Sequence, residues 1–445
     1  MDDLLEVCER AVKKAELIGA SEAEAYASLT KEGSVLLENN DVKMVKSHSY
    51  WGIGIRVLKE RSLGFASTNV RSPDAVDDAV TDALKIASAT PQDPYNKLPE
   101  AKSVKELQEL YDRKAEDFRV EDAIDAARLL LTEAKGYDRR VSVDSGHFST
   151  SVVSRAIYSS KGMRWKESIS LFSWSILGVA VDGDEVSSFD FQFDATHRVD
   201  AINVAKTARE LAKNVVGSLG ARSIESFKGS VVLSPEAATE LIVEPIAFSV
   251  NSNNIQKGLS KFSSKLGERV ASSSLTILDD GSLPDGLAST SFDREGLPHR
   301  PVKLVEDGIF RTSLHNTYTA SKDGVESTGH AAGDFRSTPS VAPTNIIVRE
   351  GDLTKEEILQ EVKKGIFVTR FSGNLNPVSG DFSGVAKGGY YIEKGELRHP
   401  IRETLMAGNA FELLKNISAI SKEAKRVFSF IVPYIRVEEV SITGG

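Results

Sequence analysis

Three glutamates near the middle of the chain have a spacing that could support chemistry on one helix face. Glu236, Glu240 and Glu244 recur every four residues, and a helix places residues four apart side by side. Carboxylates grouped in this way can act as general acid and base, or as oxygen ligands for a metal ion. The simpler alternative is the solvated edge of an amphipathic helix. Pro245, directly after Glu244, is expected to kink that helix.

A strand that runs into a capped helix would position these carboxylates. Residues 231–233 (Val-Val-Leu) favour a strand. Ser234 and Pro235 then suit the N-cap and the first position of a helix, because the serine oxygen can accept a free backbone N–H and proline has no N–H to lose. The sequence therefore predicts a strand-to-helix junction within residues 229–249.

A glycine-rich loop offers a second candidate site at Gly380, Asp381, Phe382 and Ser383. Exposed backbone N–H groups beside a strand edge would suit an extended peptide, so we assign these four residues as candidate substrate-binding residues. The alternative is a turn that only needs a positive φ. A loop serine such as Ser379 or Ser383 could be a nucleophile, but the sequence shows no base beside either one.

The histidines and the single cysteine carry weaker signals. No two of the seven histidines are three or four residues apart, so no helix presents a histidine pair to a metal ion. His299, His315 and His330 could converge only through folding. Cys8 lies among apolar residues at helical spacing, which predicts a buried, inert thiol. A lone cysteine also excludes an intramolecular disulfide and fits a reducing cytoplasm.

Composition excludes several classes of function. The net charge of −9 is spread along the chain and argues against direct nucleic-acid binding. Apolar runs are too short to span a membrane, and the acidic N-terminus is unlike a signal peptide. Neither a complete dinucleotide-binding glycine motif nor a Gly-x-Ser-x-Gly elbow is present. We therefore expect a cytoplasmic protein without membrane or nucleic-acid contacts.

The fold is predicted to be α+β. The 445 residues suggest an N-terminal α+β domain (1–100), a middle α+β domain (101–225) and a β-rich C-terminal domain (226–445), with antiparallel sheets flanked by helices in the first two. Hairpin turns are predicted at Asp307-Gly308 and Lys394-Gly395. Helices are predicted over 2–18, 73–89, 120–134, 200–216 and 354–364. Strands are predicted over 22–31, 34–37, 42–46, 51–58, 63–67, 141–149, 152–159, 164–181 and 185–193.

A long ordered series of motifs resembles the TldD/TldE family of metalloprotease subunits, in which TldE is also called PmbA. The resemblance covers essentially the whole chain and is most specific after Lys228. It is carried by Gly258-Leu-Ser-Lys-Phe-Ser-Ser-Lys-Leu-Gly-Glu-Arg-Val-Ala-Ser, Asp279-Asp-Gly, Phe292-Asp-Arg-Glu-Gly, Pro343-Thr-Asn, Gly380-Asp-Phe-Ser, Tyr391-Ile-Glu-Lys-Gly-Glu-Leu-Arg-His-Pro-Ile-Arg-Glu, Ala407-Gly-Asn and Ile442-Thr-Gly-Gly.

The resemblance points to the TldE kind of subunit. In the TldD kind, His-Glu-x-x-x-His and a cysteine near the C-terminus hold the metal ion. That motif falls on residues 243–248 here, where Glu244 is kept but Val243 and Phe248 stand in place of the histidines. No cysteine follows Cys8. Since valine and phenylalanine cannot bind zinc, the resemblance implies a degenerate metal site and no cofactor in this chain.

What the resemblance implies is a partner role, within a TldD/PmbA-type fold. TldE-type chains pair with a TldD-type subunit, which would hold the zinc, and the complex cleaves unfolded or small peptides and matures peptide precursors. Without its partner, the chain could form a homodimer. Two alternatives stay open: an independent metal-free hydrolase that uses Glu244 or a loop serine, and a non-catalytic regulatory binder, in line with the family's older label of gyrase modulator.

Overall fold

A computed structural model describes residues 3–444, which form two large sheets with helices packed on them. The α+β prediction is confirmed: antiparallel strands with helices make up the N-terminal and middle parts, and the C-terminal part is rich in strands. None of the helices within the described residues is long and apolar enough to cross a membrane.

The first sheet has seven strands and joins the N-terminal and middle segments of the chain. Its order is β3-β2-β1-β4-β5-β6, with β7 also paired to β5, and every pair is antiparallel. Because β1 pairs with β4 over its whole central length, the two segments share one sheet. The domain boundaries near residues 100 and 225 stay predictions. The strands are β1 (Glu22–Glu38), β2 (Asp41–Lys59), β3 (Ser62–Thr68), β4 (Val141–Ser159), β5 (Arg164–Asp182), β6 (Glu185–Val186) and β7 (Asp190–Thr196).

Three strands of this sheet are longer than predicted. Breaks were expected near residue 33 in β1, between 46 and 51 in β2, and near 150 in β4, but each strand is continuous. Gly33 suits a crowded strand here rather than a turn, because a Cβ at this position would lie 3.1 Å from Thr150 Oγ1 of β4. The predicted strand 185–193, by contrast, divides into β6 and β7 around Ser187, whose Oγ accepts a hydrogen bond from Ala180 N at 2.8 Å.

All four long helices lie on one face of the first sheet. They are α1 (Leu4–Leu17), α2 (Pro73–Ala89), α3 (Val120–Tyr137) and α4 (Val204–Gly217). The first two pack on Ala23, Ala25 and Ala27 of β1, and the last two on Val35 and Leu37 of the same strand. These residues alternate along one strand and so share a face. The opposite face carries no long helix and turns toward the C-terminal part. The predicted helix 200–216 begins later, at Val204, because Asn203 caps it.

The second sheet has thirteen strands and is built around β8. Its main order is β11-β10-β9-β14-β22-β8-β15-β18-β19, and β16, β17, β20 and β21 join beside it. The strands are β8 (Phe227–Leu233), β9 (Ile277–Asp279), β10 (Val302–Glu306), β11 (Ile309–Phe310), β14 (Ile346–Val348), β15 (Lys364–Val368), β16 (Arg370–Leu375), β17 (Asp381–Lys387), β18 (Tyr390–Glu393), β19 (Glu396–Pro400), β20 (Leu405–Asn409), β21 (Ile417–Val427) and β22 (Phe430–Thr443); β12 (Ala331–Ala332) and β13 (Ser340–Val341) pair separately. The helices are α5 (Pro235–Ala238), α6 (Glu244–Ser249), α7 (Ser252–Gln256), α8 (Thr317–Asp323), α9 (Lys355–Gln360) and α10 (Ala410–Lys415).

The turn residues of this part predict its hairpins correctly. Both predicted hairpins form, β10–β11 and β18–β19, and both residues of each turn have positive φ, for example +50° at Asp307 and +76° at Gly308. The predicted helix 354–364 is wrong at its end: α9 stops at Gln360, and Lys364 already begins β15. The parallel pairing of β15 with β8 holds these residues extended.

A buried network of charges joins the two sheets. Arg56 of β2 donates to Glu24 Oε2 of β1 at 2.6 Å and to Glu295 Oε1, in the C-terminal part, at 2.8 Å. Arg294 donates to the other oxygen of Glu24 at 3.0 Å. All four side chains are almost wholly buried. Because each carboxylate would be costly to bury alone, the network ties the helix-free face of the first sheet to the C-terminal part.

Candidate functional site

The strand-to-helix junction forms where the sequence predicts it. The strand β8 ends at Leu233, and Ser234 Oγ accepts a hydrogen bond from Ala237 N at 3.2 Å, with Pro235 at the first helical position. The helical segment then runs from Pro235 to Ser249. It presents the glutamates of interest on one side and buries its apolar residues on the other.

A π-helical turn interrupts this segment at Thr239–Val243. Here the N–H of Glu244 bonds to the carbonyl of Thr239, five residues back. Pro245 has no N–H, and its ring would collide with a regular helical carbonyl four residues earlier, so a wider turn before it relieves the conflict. The expected disturbance by Pro245 therefore occurs in the preceding turn. Such π-turns are frequent at functional sites.

A cavity of about 680 Å³ opens beside this segment. Three parts of the molecule build it: the helical segment, the hairpin of β16 and β17, and the helix-free face of the first sheet, with the end of β21 closing one side. The lining residues are Leu177, Phe191, Glu236, Thr239, Glu240, Glu244, Phe248, Arg370, Phe371, Gly373, Leu375, Pro377, Val427 and Phe428. All three glutamates thus share one face, as their spacing predicts, and this face lines the cavity.

Glu236 has a structural partner. Its Oε1 pairs with Lys425 Nζ of β21 at 2.7 Å, and the same Nζ pairs with Glu210 Oε1 of α4 at 2.7 Å. This bridge fixes the start of the helical segment against the first sheet's helices. Glu236 is therefore occupied and is not free to act on a ligand.

Glu240 and Glu244 have no such partners. Within residues 3–444, neither side chain makes an ion pair or a side-chain hydrogen bond. Burial raises the pKa of Glu240 to about 7; the charge of Arg370 opposes this effect and that of Glu244 adds to it. Burial also raises the pKa of Glu244, although its side chain is the more exposed of the two. The simple alternative of a solvated edge does not describe Glu240, and a carboxyl that titrates near neutrality can exchange a proton.

The structure separates the three residues at the predicted degenerate metal position. Glu244 and Phe248 line the cavity, but Val243 is 0% exposed and packs in the hydrophobic core. Over the described residues, no group of three or more histidine, cysteine, aspartate or glutamate side chains is placed to hold a metal ion.

The three histidines considered as metal ligands, His299, His315 and His330, lie elsewhere, in loops of the C-terminal part. His299 and His330 do come together, with ring centroids 6.0 Å apart, and His330 Nε2 bonds to Asp279 Oδ1 at 2.9 Å. Burial lowers the pKa of His299 to about 3, so it is neutral. His315 is held separately by Ser313, at 2.9 Å. None of the three lines the cavity.

The glycine-rich loop has no free strand edge at the predicted residues. Gly380 has φ +85°, as the turn alternative requires, and Asp381, Phe382 and Ser383 lie in β17. This strand pairs with β16 on one side and with β20 on the other. An added peptide strand therefore has no free edge of β17 to pair with, and a role of these four residues in binding substrate stays a prediction. Ser379 Oγ accepts a hydrogen bond from Asp381 N at 3.3 Å, and the side chain of Asn409, together with this hydroxyl, lowers the pKa of the Asp381 carboxyl. Within the described chain, neither Ser379 nor Ser383 bonds to a histidine or a lysine.

The neighbouring strand β16 is the one with an available edge. Among the described strands it pairs only with β17. Arg370 and Phe371 point to opposite faces of β16, and both line the cavity, as does the backbone of Gly373, so the unpaired edge lies at the cavity. Sequence reasoning missed Arg370, because a single arginine in a strand carries no signal of what faces it.

Comparisons with known proteins cover the whole chain. Family models for the PmbA/TldA metallopeptidase match residues 23–87 (domain 1), 113–219 (central domain) and 226–444 (C-terminal domain). The Haemophilus influenzae "Metalloprotease PmbA homolog" is 28% identical over 98% of this chain and 95% of its own. The Escherichia coli O157:H7 "Metalloprotease PmbA" is 25% identical over 95% and 92%.

Solved structures give the same fold. A Thermotoga maritima protein, described as a candidate modulator of a DNA gyrase, superposes with a TM-score of 0.89 at 27% identity and covers 98% of this chain and 99% of its own. TldE from Thermococcus kodakarensis superposes with a TM-score of 0.90 over 98% and 100%. Its identity of 24% makes that likeness one of fold.

Proposed function

Because this chain belongs to the PmbA/TldD metallopeptidase family, we propose that it is the non-metal subunit of a heteromeric metalloprotease. A TldD-type partner would hold the zinc, and the complex would cleave unfolded or small peptides and mature peptide precursors in the cytoplasm. The proposal rests on Val243 and Phe248, which the family resemblance assigns to the position of the metal-binding histidines.

The residues at this position do not fit a zinc ion. Val243 has no donor atom and is buried in the core, and Phe248 presents a phenyl ring to the cavity. Only Glu244 offers oxygens, whereas a catalytic zinc takes three protein ligands. No catalytic step through a metal is therefore assigned to this chain.

The cavity suits a wall that holds peptide. An extended peptide can add to an open strand edge through main-chain hydrogen bonds, which need no particular sequence. The free edge of β16 offers such bonds beside apolar side chains of Leu177, Phe191 and Leu375. This chain would thus form part of the substrate chamber, and the partner subunit would supply the catalytic zinc.

One observation favours a second candidate, an independent metal-free hydrolase. Glu240 has a pKa near 7 and lies in the same cavity as Glu244, so the two could act as base and acid on a water molecule. Under this candidate Glu244→Gln abolishes cleavage by the chain alone. Under the leading proposal it leaves cleavage by the complex nearly unchanged.

The decisive experiment is co-expression with a TldD-type subunit from the same organism. Each chain and the mixture would be assayed on an unstructured peptide, with and without a chelator, after size-exclusion chromatography. We expect the mixture to co-elute and to cleave in a chelator-sensitive manner, and this chain alone to be inactive, as a monomer or a homodimer. Chelator-resistant cleavage by this chain alone would refute the proposal. A chain that captures no protease subunit would favour the regulatory alternative.

A further inference from the structure

Arg370 is a charged group without a partner at the edge of the cavity. Its guanidinium lies over the ring of Phe189, 4.8 Å from the centroid, and 6.0 Å from the centroid of Phe191. It makes no ion pair or side-chain hydrogen bond within residues 3–444, although the side chain is half-buried. A guanidinium has five N–H donors in a rigid fork that matches a carboxylate. Contact with the rings of Phe189 and Phe191 restricts the guanidinium, so its N–H donors are already positioned to bind an anion.

Two carboxylates without partners face the same cavity. Glu240 and Glu244 are one helical turn apart. The lysine nearest to the start of their helix, Lys425 of β21, is already shared between Glu236 and Glu210. Arg370 is close enough for its charge to favour the ionised form of Glu240, yet the two form no ion pair. Within the described residues the cavity therefore holds a guanidinium and two carboxyls that form no ion pair with one another.

We propose that this cavity binds short zwitterionic peptides, with the terminal carboxylate on Arg370 and the terminal ammonium at Glu240 and Glu244. The apolar lining suits peptide side chains, and about 680 Å³ lies within the range of small-molecule sites. The site is a binding site and adds no catalytic group. It deepens the proposed function, on which it rests for the choice of peptide as the ligand, since hydrolysis of a peptide releases fragments with both charged ends.

The charge requirement can be tested on the wild-type chain. Isothermal titration calorimetry at pH 7 would compare the tripeptide Ala-Leu-Ala with its C-terminal amide and with its N-acetyl derivative. We expect saturable binding of the free tripeptide. The amide should bind about ten- to hundredfold more weakly, the usual size of a hydrogen bond to a charged group, and the acetylated peptide should also bind more weakly.

Variants assign each end of the peptide to its residue. Arg370→Gln should weaken the free tripeptide about as much as amidation does, and should barely change binding of the amide. Glu240→Gln should weaken the free tripeptide but not its acetylated form. Arg300→Gln and Glu350→Gln are the matched controls, because both side chains are exposed and lie outside the cavity. Arg370→Lys keeps the charge without the fork, and circular dichroism would verify that each variant folds.

Three results would overturn the inference: no saturable binding, equal binding of acid and amide by the wild type, or unchanged binding by Arg370→Gln. Because binding is measured on this chain alone, its failure is distinct from failure of the proposed function. A complex that cleaves while the chain binds no tripeptide contradicts only the inference. A chain that binds the tripeptide but forms no active complex contradicts only the proposed function.

Discussion

Neutralising Glu240 should stabilise this protein at high pH and much less at low pH. Burial raises the pKa of Glu240 from its ordinary 4.5 to about 7. A carboxyl whose pKa is raised by folding binds more protons in the folded state. Its contribution to stability is therefore present at low pH and is lost as the pH rises through about 7. Glu240→Gln removes the charge at all pH values and keeps the size of the side chain.

The size of the effect follows from the two pKa values. The gap between 4.5 and about 7 corresponds to about 3 kcal/mol at about 1.4 kcal/mol per pH unit. Part of this is already lost at pH 5, where the unfolded side chain has begun to ionise. Between pH 5 and pH 8.5, the free energy of unfolding of Glu240→Gln relative to wild type should rise by about 2 to 3 kcal/mol.

Urea unfolding followed by circular dichroism at pH 5 and pH 8.5 measures this change. Comparing two pH values removes the constant cost of burying an uncharged amide. Glu350→Gln, at an exposed position, should change by less than about 0.5 kcal/mol over the same range. A Glu240→Gln variant whose advantage over wild type is the same at both pH values would show that this carboxyl is not desolvated.

Three further predictions concern the rest of the molecule. Arg56→Met removes the partner that the buried carboxylates of Glu24 and Glu295 share. It should lower the free energy of unfolding, measured by urea denaturation, by about 3 to 5 kcal/mol, and a loss below about 1 kcal/mol would contradict the network. Gly64→Ala should lower the melting temperature, because the new Cβ would lie 1.9 Å from the carbonyl oxygen of Ala83 in α2. Gly136→Ala is the matched control: its Cβ would meet no atom within 4 Å, and an alanine in α3 should raise the free energy of unfolding by about 0.5 to 1 kcal/mol. Cys8 is buried with a raised pKa, so a thiol reagent should label it only after denaturation.

The features that sequence reasoning predicted well are those set by neighbouring residues. The cap at Ser234 and the turn at Asp307 depend on a few consecutive side chains, and both form as expected. Gly33 shows the limit of such signals. It resembles a turn residue, but it lies within a strand where a Cβ would be in tight contact with Thr150 of β4, and that strand begins more than a hundred residues later.

The candidate site was predictable only in part for the same reason. The spacing of Glu240 and Glu244 placed them on one face, but nothing local indicated whether that face meets water or a cavity. That face lines a cavity because Phe191 and Phe428, both distant from the glutamates in sequence, lie around it. The sequence predicts a strand edge beside the loop at Gly380 to Ser383, but the edge without a partner belongs to β16, because strand order cannot be predicted from a loop's composition.

The unpaired charges at the cavity argue against a purely structural role for the helical segment. Burial of a carboxylate without a partner costs free energy, and an ion pair with Arg370 would reduce that cost. The fold has an arginine in the same cavity and yet keeps it on two aromatic rings, apart from Glu240. Other charged side chains of the described residues are paired, as are the buried Arg56 and Glu24 and the partly buried Lys425 and Glu236, and the buried Asp190 is hydrogen-bonded by Gln192 and Asn214. Partly buried charged side chains are left without an ion-pair partner mainly at functional sites, where they must be free to bind a ligand. Within the described residues the cavity therefore keeps a guanidinium and two carboxyls that form no ion pair with one another, as a binding site for a ligand with two charged ends requires.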